Sequence, residues 1–162
     1  MRYVIALGSN QRHPHHGAPP RVLAGALVAL DHAGITVLAS SAIRTTPPLG
    51  PSLRCYANGA ALIETRLEPD DLLIALQQIE TAFGRRRMGQ RWRARVLDLD
   101  IVLAEVGTWS SPGLVIPHPA FRQRRFVTAP MLEVAADWRD PISNFTIRQV
   151  HGRLTRPRPL PR

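Results

Sequence analysis

Two aspartates, Asp98 and Asp100, interrupt the apolar run Leu97-Asp98-Leu99-Asp100-Ile101-Val102-Leu103. On a strand, positions two apart share a face with Cβ atoms roughly 6–7 Å apart, so Leu97, Leu99, Ile101 and Leu103 are expected on the other face as core. Carboxylates that close repel unless cations neutralise them, and an oxygen-only pair at this spacing suits Mg²⁺, which keeps waters and shares phosphate oxygens with a substrate. A solvent-facing pair answered by nearby arginines is the plain alternative. The segment just upstream favours the metal: it carries Arg85, Arg86, Arg87, Arg91, Arg93 and Arg95, six arginines within eleven residues. Bound metal beside guanidinium groups is the combination that stabilises charge on a transferring phosphoryl group.

The rest of the chain narrows which phosphate chemistry is open. All 21 basic residues are arginine, against 12 acidic ones, for a formal charge of +9 over 162 residues. Without lysine there is no Walker A loop and no Schiff-base chemistry, and without any G-x-G among the 11 glycines there is no dinucleotide fingerprint or kinase-type glycine loop. The arginine bias suits bidentate phosphate contact, although a GC-rich genome would produce it too. A 44% apolar composition supports one cored domain. The single cysteine, Cys55, allows no internal disulfide and points to a reducing compartment. With no apolar run long enough to span a bilayer and no signal-peptide pattern at the start, a cytoplasmic protein is expected.

Elements that would position the acidic pair follow from pattern. A strand over 3–7 ends in Gly8-Ser9-Asn10, a loop with His13, His15 and His16 follows, and a helix starts near Pro19-Pro20 and stops at Gly34. Strands are predicted over 35–46 and 56–65, separated by a proline-rich turn. The clearest helix covers 69–83, opened by Pro69 with Asp70 and Asp71 in its first turn, closed by Gly84, and leaving Gln77 and Glu80 on one face. The strand 97–103 comes next, then a short strand at 114–116, the turn Pro117-His118-Pro119, a helix over 126–136 and another over 147–154. The order of elements is that of a ferredoxin-like split βαβ sandwich, an α/β (α+β) fold with a mostly antiparallel sheet backed by helices. One domain is expected over 1–155, with a Pro/Arg-rich tail at 156–162.

Several runs together resemble the 6-hydroxymethyl-7,8-dihydropterin pyrophosphokinase family of folate synthesis. They are Ala6-Leu7-Gly8-Ser9-Asn10, Thr46-Pro47-Pro48-Leu49-Gly50-Pro51 with Tyr56-Ala57-Asn58, Gln77-Gln78-Ile79-Glu80, Arg91-Trp92-Arg93-Ala94-Arg95-Val96-Leu97-Asp98-Leu99-Asp100-Ile101-Val102, and Ile116-Pro117-His118-Pro119 through Phe126. They lie in collinear order over roughly the first 135 positions. The resemblance implies transfer of pyrophosphate from ATP to the pterin hydroxymethyl group, with release of AMP. It implies two Mg²⁺ ions on Asp98 and Asp100, with Arg85 and Arg95 joining them as catalytic residues. ATP contacts would come from Gln77, Glu80, Arg85, Arg87, Trp92, Arg95, Ile101, His118 and Arg124, and pterin contacts from Thr46, Pro47, Leu49, Tyr56, Asn58, Asp98 and Phe126. A flat heterocycle is well held between two aromatic faces, and an amide supplies donor and acceptor together. Without the resemblance Tyr56 and Phe126 would read as core, and His118 as a satisfied loop histidine. Three features depart from the family pattern: Arg93 replaces a small residue, 52–55 is short, and the 11–20 loop differs.

Two other classes remain to be weighed. An RNA-binding module of this fold would use sheet aromatics, but only 9 residues are Phe, Trp or Tyr, no strand alternates them, and the acidic pair would repel a nucleic-acid backbone. A metal-dependent nucleotidyltransferase shares the acidic pair but releases pyrophosphate instead of AMP. The expected partners are therefore small molecules, ATP and the pterin, with no nucleic acid and no membrane, and a monomer.

Overall fold

The computed structural model describes residues 1–46, 55–84 and 96–157. Strand β1 (Arg2–Ser9) lies at the centre of the main sheet, where Tyr3, Val4 and Ile5 are all fully buried because helices cover both faces. Helix α1 (Pro19–His32) opens on two prolines, whose missing N–H groups cost nothing in a first turn, and buries Val22, Leu23, Ala26 and Leu30. Strands β2 (Thr36–Ser40), β3 (Arg44–Thr46) and β4 (Tyr56–Glu64) follow, then α2 (Pro69–Ala82) with Asp70 and Asp71 at its positive end. Gly34 and Gly84, at φ +75° and +84°, turn the chain out of these two helices in a conformation that a β-carbon would strain. Strand β5 (Asp98–Ala104), a hairpin of β6 (Trp109–Ser111) and β7 (Leu114–Ile116), a 3-10 turn at Phe121–Gln123, α3 (Arg125–Ala135) and α4 (Ile147–Thr155) complete the described chain.

The main sheet runs β2-β4-β1-β5, with β3 also paired to β4, and every pairing is antiparallel. With α1 between β1 and β2 and α2 between β4 and β5, this is the ferredoxin-like arrangement expected from the order of elements. Helices α1 and α2 close one face over a core that includes Ile5, Leu7, Leu23, Ile63, Leu72, Leu76, Leu99 and Ile101. The other face carries a second core of Val4, Ala60, Val102, Phe121, Met131 and Ile147 under α3 and α4. Among the described residues, no helix is long and apolar enough to cross a membrane.

Three local expectations are corrected. The predicted strand over 35–46 is broken, because Ser40 faces Ala61 while Arg44 faces Asn58, four steps on one side against three on the other. Ser41 absorbs the offset: its N–H donates to the Ala60 carbonyl, and its hydroxyl accepts the Ala60 N–H at 3.0 Å. In β5, Val4 faces Leu103 and Ile5 faces Ile101, which leaves Val102 as an extra residue and swings Leu103 into the α3/α4 core, away from Leu99. The short strand expected at 114–116 is one arm of a hairpin, in which β6 pairs with β7, Trp109 opposite Ile116.

Candidate active site

Pairing across three strands assembles the site. Gly8 of β1 stands between Asn58 of β4 and Asp98 of β5, and Ala6 stands between Ala60 and Asp100 in the next row. Directly opposed residues in a sheet point to one side, so Asn58, Asp98 and Asp100 share the face that α3 and α4 cover further along. Between them the chain has only Gly8, Ala6 and Ala60. A β-carbon at Gly8 would lie 3.8 Å from that of Asp98, so the missing side chain leaves a floor rather than relieving a clash. The small residues of this floor, Ala6 and Gly8, stand within the run Ala6-Leu7-Gly8-Ser9-Asn10, where their types are the signal for an open surface. Ser9 and Asn10, both buried, continue β1 past the floor.

The two aspartates are half-buried, with Leu99 between them at 3% exposure in the opposite core. Strand β5 is the sheet edge, and α2 attends to that edge: Glu80, 2% exposed, accepts the Leu99 N–H at 2.8 Å. The carboxylate expected beside the nucleotide thus holds the backbone between the acidic pair. Gln77, half-buried, lies one turn earlier on the same helix. The Ile101 side chain belongs to the α1/α2 core, so what this position offers a ligand is main chain.

On the floor side, Asn58 is 6% exposed and donates from Nδ2 to Thr46 Oγ1 at 2.8 Å, while Tyr56 pairs with Thr46 across β3 and β4 and is half-buried. Glu133 of α3 clamps β3 by accepting from Ala42 N at 2.7 Å and from Arg44 Nη2 at 2.6 Å and Nε at 3.2 Å. Those bonds, the Arg44 side chain foremost, hold its carboxyl below the ordinary range. No sequence signal links residues 89 positions apart.

His118 is tied to β5 two residues beyond Asp100, its N–H donating to the Val102 carbonyl at 3.0 Å. Its Nδ1 accepts the Ala120 N–H at 3.2 Å, which leaves Nε2 as the ring nitrogen that can donate. Arg124 and Phe126 start α3, with the guanidinium 5.9 Å from the Phe126 ring centroid. Phe126 is half-buried and packs against the core that contains Ala60 and Val102, so it belongs to the same face as the floor. Pro130 supplies no N–H to the Phe126 carbonyl, which loosens the first turns of the helix that carries these two residues. Register and packing therefore put Tyr56, Asn58, Asp98 and Asp100 on one face, with Thr46 beside Asn58, Phe126 packed against the core of that face and Arg124 beside its ring, while His118 joins β5 through its backbone. Glu80 reaches the β5 edge, Gln77 lies on the same helix, and Ile101 faces the core behind. Pro47, Leu49, Arg85, Arg87, Trp92 and Arg95, with Arg93 and the 52–54 segment, lie outside the described residues.

The donor set fits a hard cation. Asp98 and Asp100 supply oxygen only, and among the described residues no group of three or more His, Cys, Asp or Glu could hold a metal by itself. An ion bound by two carboxylates takes its other ligands from water and substrate, the coordination that Mg²⁺ favours.

The protein is thus an α/β protein with a ferredoxin-like sheet, an acidic pair on its edge strand and His118 joined to the same strand through its backbone. The family described as 7,8-dihydro-6-hydroxymethylpterin-pyrophosphokinase (HPPK) matches residues 4–136, and the chain belongs to it. A curated relative from Methylorubrum extorquens, named 2-amino-4-hydroxy-6-hydroxymethyldihydropteridine pyrophosphokinase, is 38% identical over 155 residues, 94% of this chain and 93% of that protein. The Synechocystis protein of the same name is 39% identical over 118 residues, 73% of this chain but only 60% of its own length. Among solved structures, wild-type Plasmodium falciparum HPPK-DHPS superposes with a TM-score of 0.72 at 11% identity, covering 94% of this chain and 44% of that one. That likeness concerns the fold alone.

Proposed function

We propose that this protein transfers the pyrophosphoryl group of ATP to the hydroxymethyl oxygen of 6-hydroxymethyl-7,8-dihydropterin, giving the pterin diphosphate and AMP, in folate synthesis. The observation that carries the reading is the side-chain-free floor at Gly8, flanked by an amide on one side and an acidic pair on the other, in a chain of this family. A flat ring fits over Gly8 with Asn58 at its edge. Tyr56 and Phe126 are the aromatic faces, with Thr46, Pro47 and Leu49 completing the pterin contacts.

Asp98 and Asp100 would hold Mg²⁺, as two ions, with Asp98 also facing the pterin. The metal supplies charge neutralisation on the phosphates and acidity at the attacking oxygen. The protein's own groups do the rest. His118 donates from Nε2 to a phosphate oxygen, Arg124 adds a guanidinium, and Gln77 and the main chain at Ile101 meet the nucleotide along the β5 edge. Arg85, Arg87, Trp92 and Arg95 are the further phosphate and nucleotide contacts of this reading. Glu80 contributes by fixing Leu99, and hence the spacing of the carboxylates. Stacking the pterin and clamping the triphosphate on one face turns an encounter of two substrates into in-line attack on the β-phosphorus.

Incubation with ATP, Mg²⁺ and the reduced hydroxymethylpterin, followed by nucleotide analysis, tests this. AMP formed in step with pterin diphosphate is expected. Released pyrophosphate with an adenylylated pterin would make the chain a nucleotidyltransferase, and ADP would make it a simple kinase; either result refutes the proposal.

A further inference from the structure

Asp140 lies in the connection from α3 to α4, beyond the span matched by the family, and is fully buried. A carboxylate persists at that depth only when strong donors occupy its oxygens. Here Oδ2 accepts Arg122 Nε at 2.7 Å, Oδ1 accepts Arg122 Nη2, and the Ser143 hydroxyl, Ser143 N at 3.3 Å and Ile142 N at 3.2 Å complete the set. Burial alone would raise its pKa, yet the bonds from Arg122 and Ser143 outweigh that and hold it at about 2. The connection is itself braced: Asp140 N donates to Phe145 O, Asn144 N to Asp140 O, and the Arg153 guanidinium sits 3.7 Å from the Phe145 ring centroid.

The other end of the fork lies on the segment that carries three candidate site residues. Arg122 belongs to the 3-10 turn at Phe121–Gln123, four residues after His118, two before Arg124 and four before Phe126. Its guanidinium lies 4.7 Å from the ring centroid of Phe121, which is fully buried in the α3/α4 core. A bidentate pair fixes the plane of the guanidinium as well as its distance, so the turn has one orientation relative to the 140–143 loop. Beyond what the pair adds to stability, its fork therefore fixes where the turn sits.

We infer that Asp140, acting through Arg122, is a positioning residue that sets the 118–126 segment so that Phe126 faces the pterin while His118 and Arg124 face the phosphates. The inference rests on the roles given to those three residues under the proposed function.

Asp140→Asn and Arg122→Lys, assayed at a temperature where circular dichroism shows both folded, test it by pterin calorimetry and steady-state kinetics. The pterin dissociation constant is expected to rise about tenfold and kcat to fall between about tenfold and a hundredfold, the scale of a displaced contact. A double-mutant cycle with Phe126→Ala separates positioning from general loosening: in that background Asp140→Asn should change pterin affinity less than about twofold, because no ring remains to be aimed. If Phe126→Ala itself leaves pterin affinity unchanged, the pterin reading fails and this inference with it. If Phe126→Ala weakens binding while the clamp variants bind and turn over as wild type, or if the Asp140→Asn effect persists in full without the ring, the pterin reading stands and the positioning role is refuted. Should Asp140→Asn not fold, Arg122→Lys carries the same cycle, since it keeps the charge and loses the fork.

Discussion

Glu80→Ala is expected to destabilise the ligand-free protein, because Glu80 meets the protein's own backbone at Leu99. The substitution leaves the Leu99 N–H, now bonded at 2.8 Å, without its acceptor at a site 2% exposed. An unsatisfied buried donor costs about 1–3 kcal/mol, and losing one buried methylene adds about 0.8 kcal/mol. Ending the desolvation of the carboxylate offsets part of this, so a net loss of about 2 kcal/mol is expected, a large share of a typical domain's ~5–15 kcal/mol. Glu80→Gln keeps an oxygen at the same reach and should cost about 1 kcal/mol or less, the difference between a charge-assisted bond and a neutral one. Urea unfolding without ligand measures both, read as shifts of midpoint at constant slope. Because Leu99 joins Asp98 to Asp100, turnover should follow the same order, with Glu80→Ala down more than about tenfold and Glu80→Gln largely active. An unchanged unfolding midpoint in Glu80→Ala would refute this reasoning, and a loss confined to ATP affinity would return Glu80 to direct nucleotide contact.

Other outcomes follow from the same geometry. Asp98→Asn or Asp100→Asn should lower turnover about a hundredfold or more while thermal unfolding stays within a few degrees of wild type, since each removes charge from a half-buried polar face and no core volume. Gly8→Ala should fold normally, its β-carbon 3.8 Å from that of Asp98, whereas Gly8→Leu should fill the floor and weaken pterin binding at least about tenfold by calorimetry with little change in ATP affinity. Asp140 has its folded pKa depressed to about 2, so its stabilisation is complete above the ordinary aspartate value near ~4 and is lost as pH falls toward the folded one. Unfolding free energy measured across that window should drop more steeply in wild type than in Asp140→Asn; parallel curves would refute the assignment.

The acidic pair was legible because strand alternation is local: Leu97 and Leu99 had to face a core, so Asp98 and Asp100 had to face away from it. Helices α1 and α2 were legible for a similar reason, each with a proline start, an apolar stripe and a glycine exit inside one short window. Sequence pattern is silent where a partner distant in sequence decides the outcome. The break at Ser41 exists because Ala60, nineteen residues on, offers both its N–H and its carbonyl to that one serine. Leu103 changed sides because β1 and β5 differ by one residue in register, which no pattern within β5 reveals. Nothing within the sequence joins Asp140 to Arg122 or Glu133 to Arg44, and each pair meets only in the folded chain.

These cases share one physical feature, and it bears on why the site lies where it does. One face of the sheet is covered by large buried side chains of α1 and α2. The other face tapers from Val4, Val102 and Leu103 under α3 through Ala6 and Ala60 to Gly8, so side-chain volume falls steadily toward the end where Asn58 and the two aspartates stand. A flat ring needs the volume that those small residues give up, and the phosphates need the charge just beyond it. Small residues cannot hold neighbouring segments in place by packing, because they make too few contacts. Among the described residues, Glu80 on Leu99, Glu133 on Arg44 and Asp140 on Arg122 each brace a segment by a carboxylate bond. On this account, loosening any one brace should lower turnover by more than its cost in stability alone explains, whereas cutting into the α1/α2 core, at Leu72 or Leu76 for instance, should lower activity only as the fold is lost.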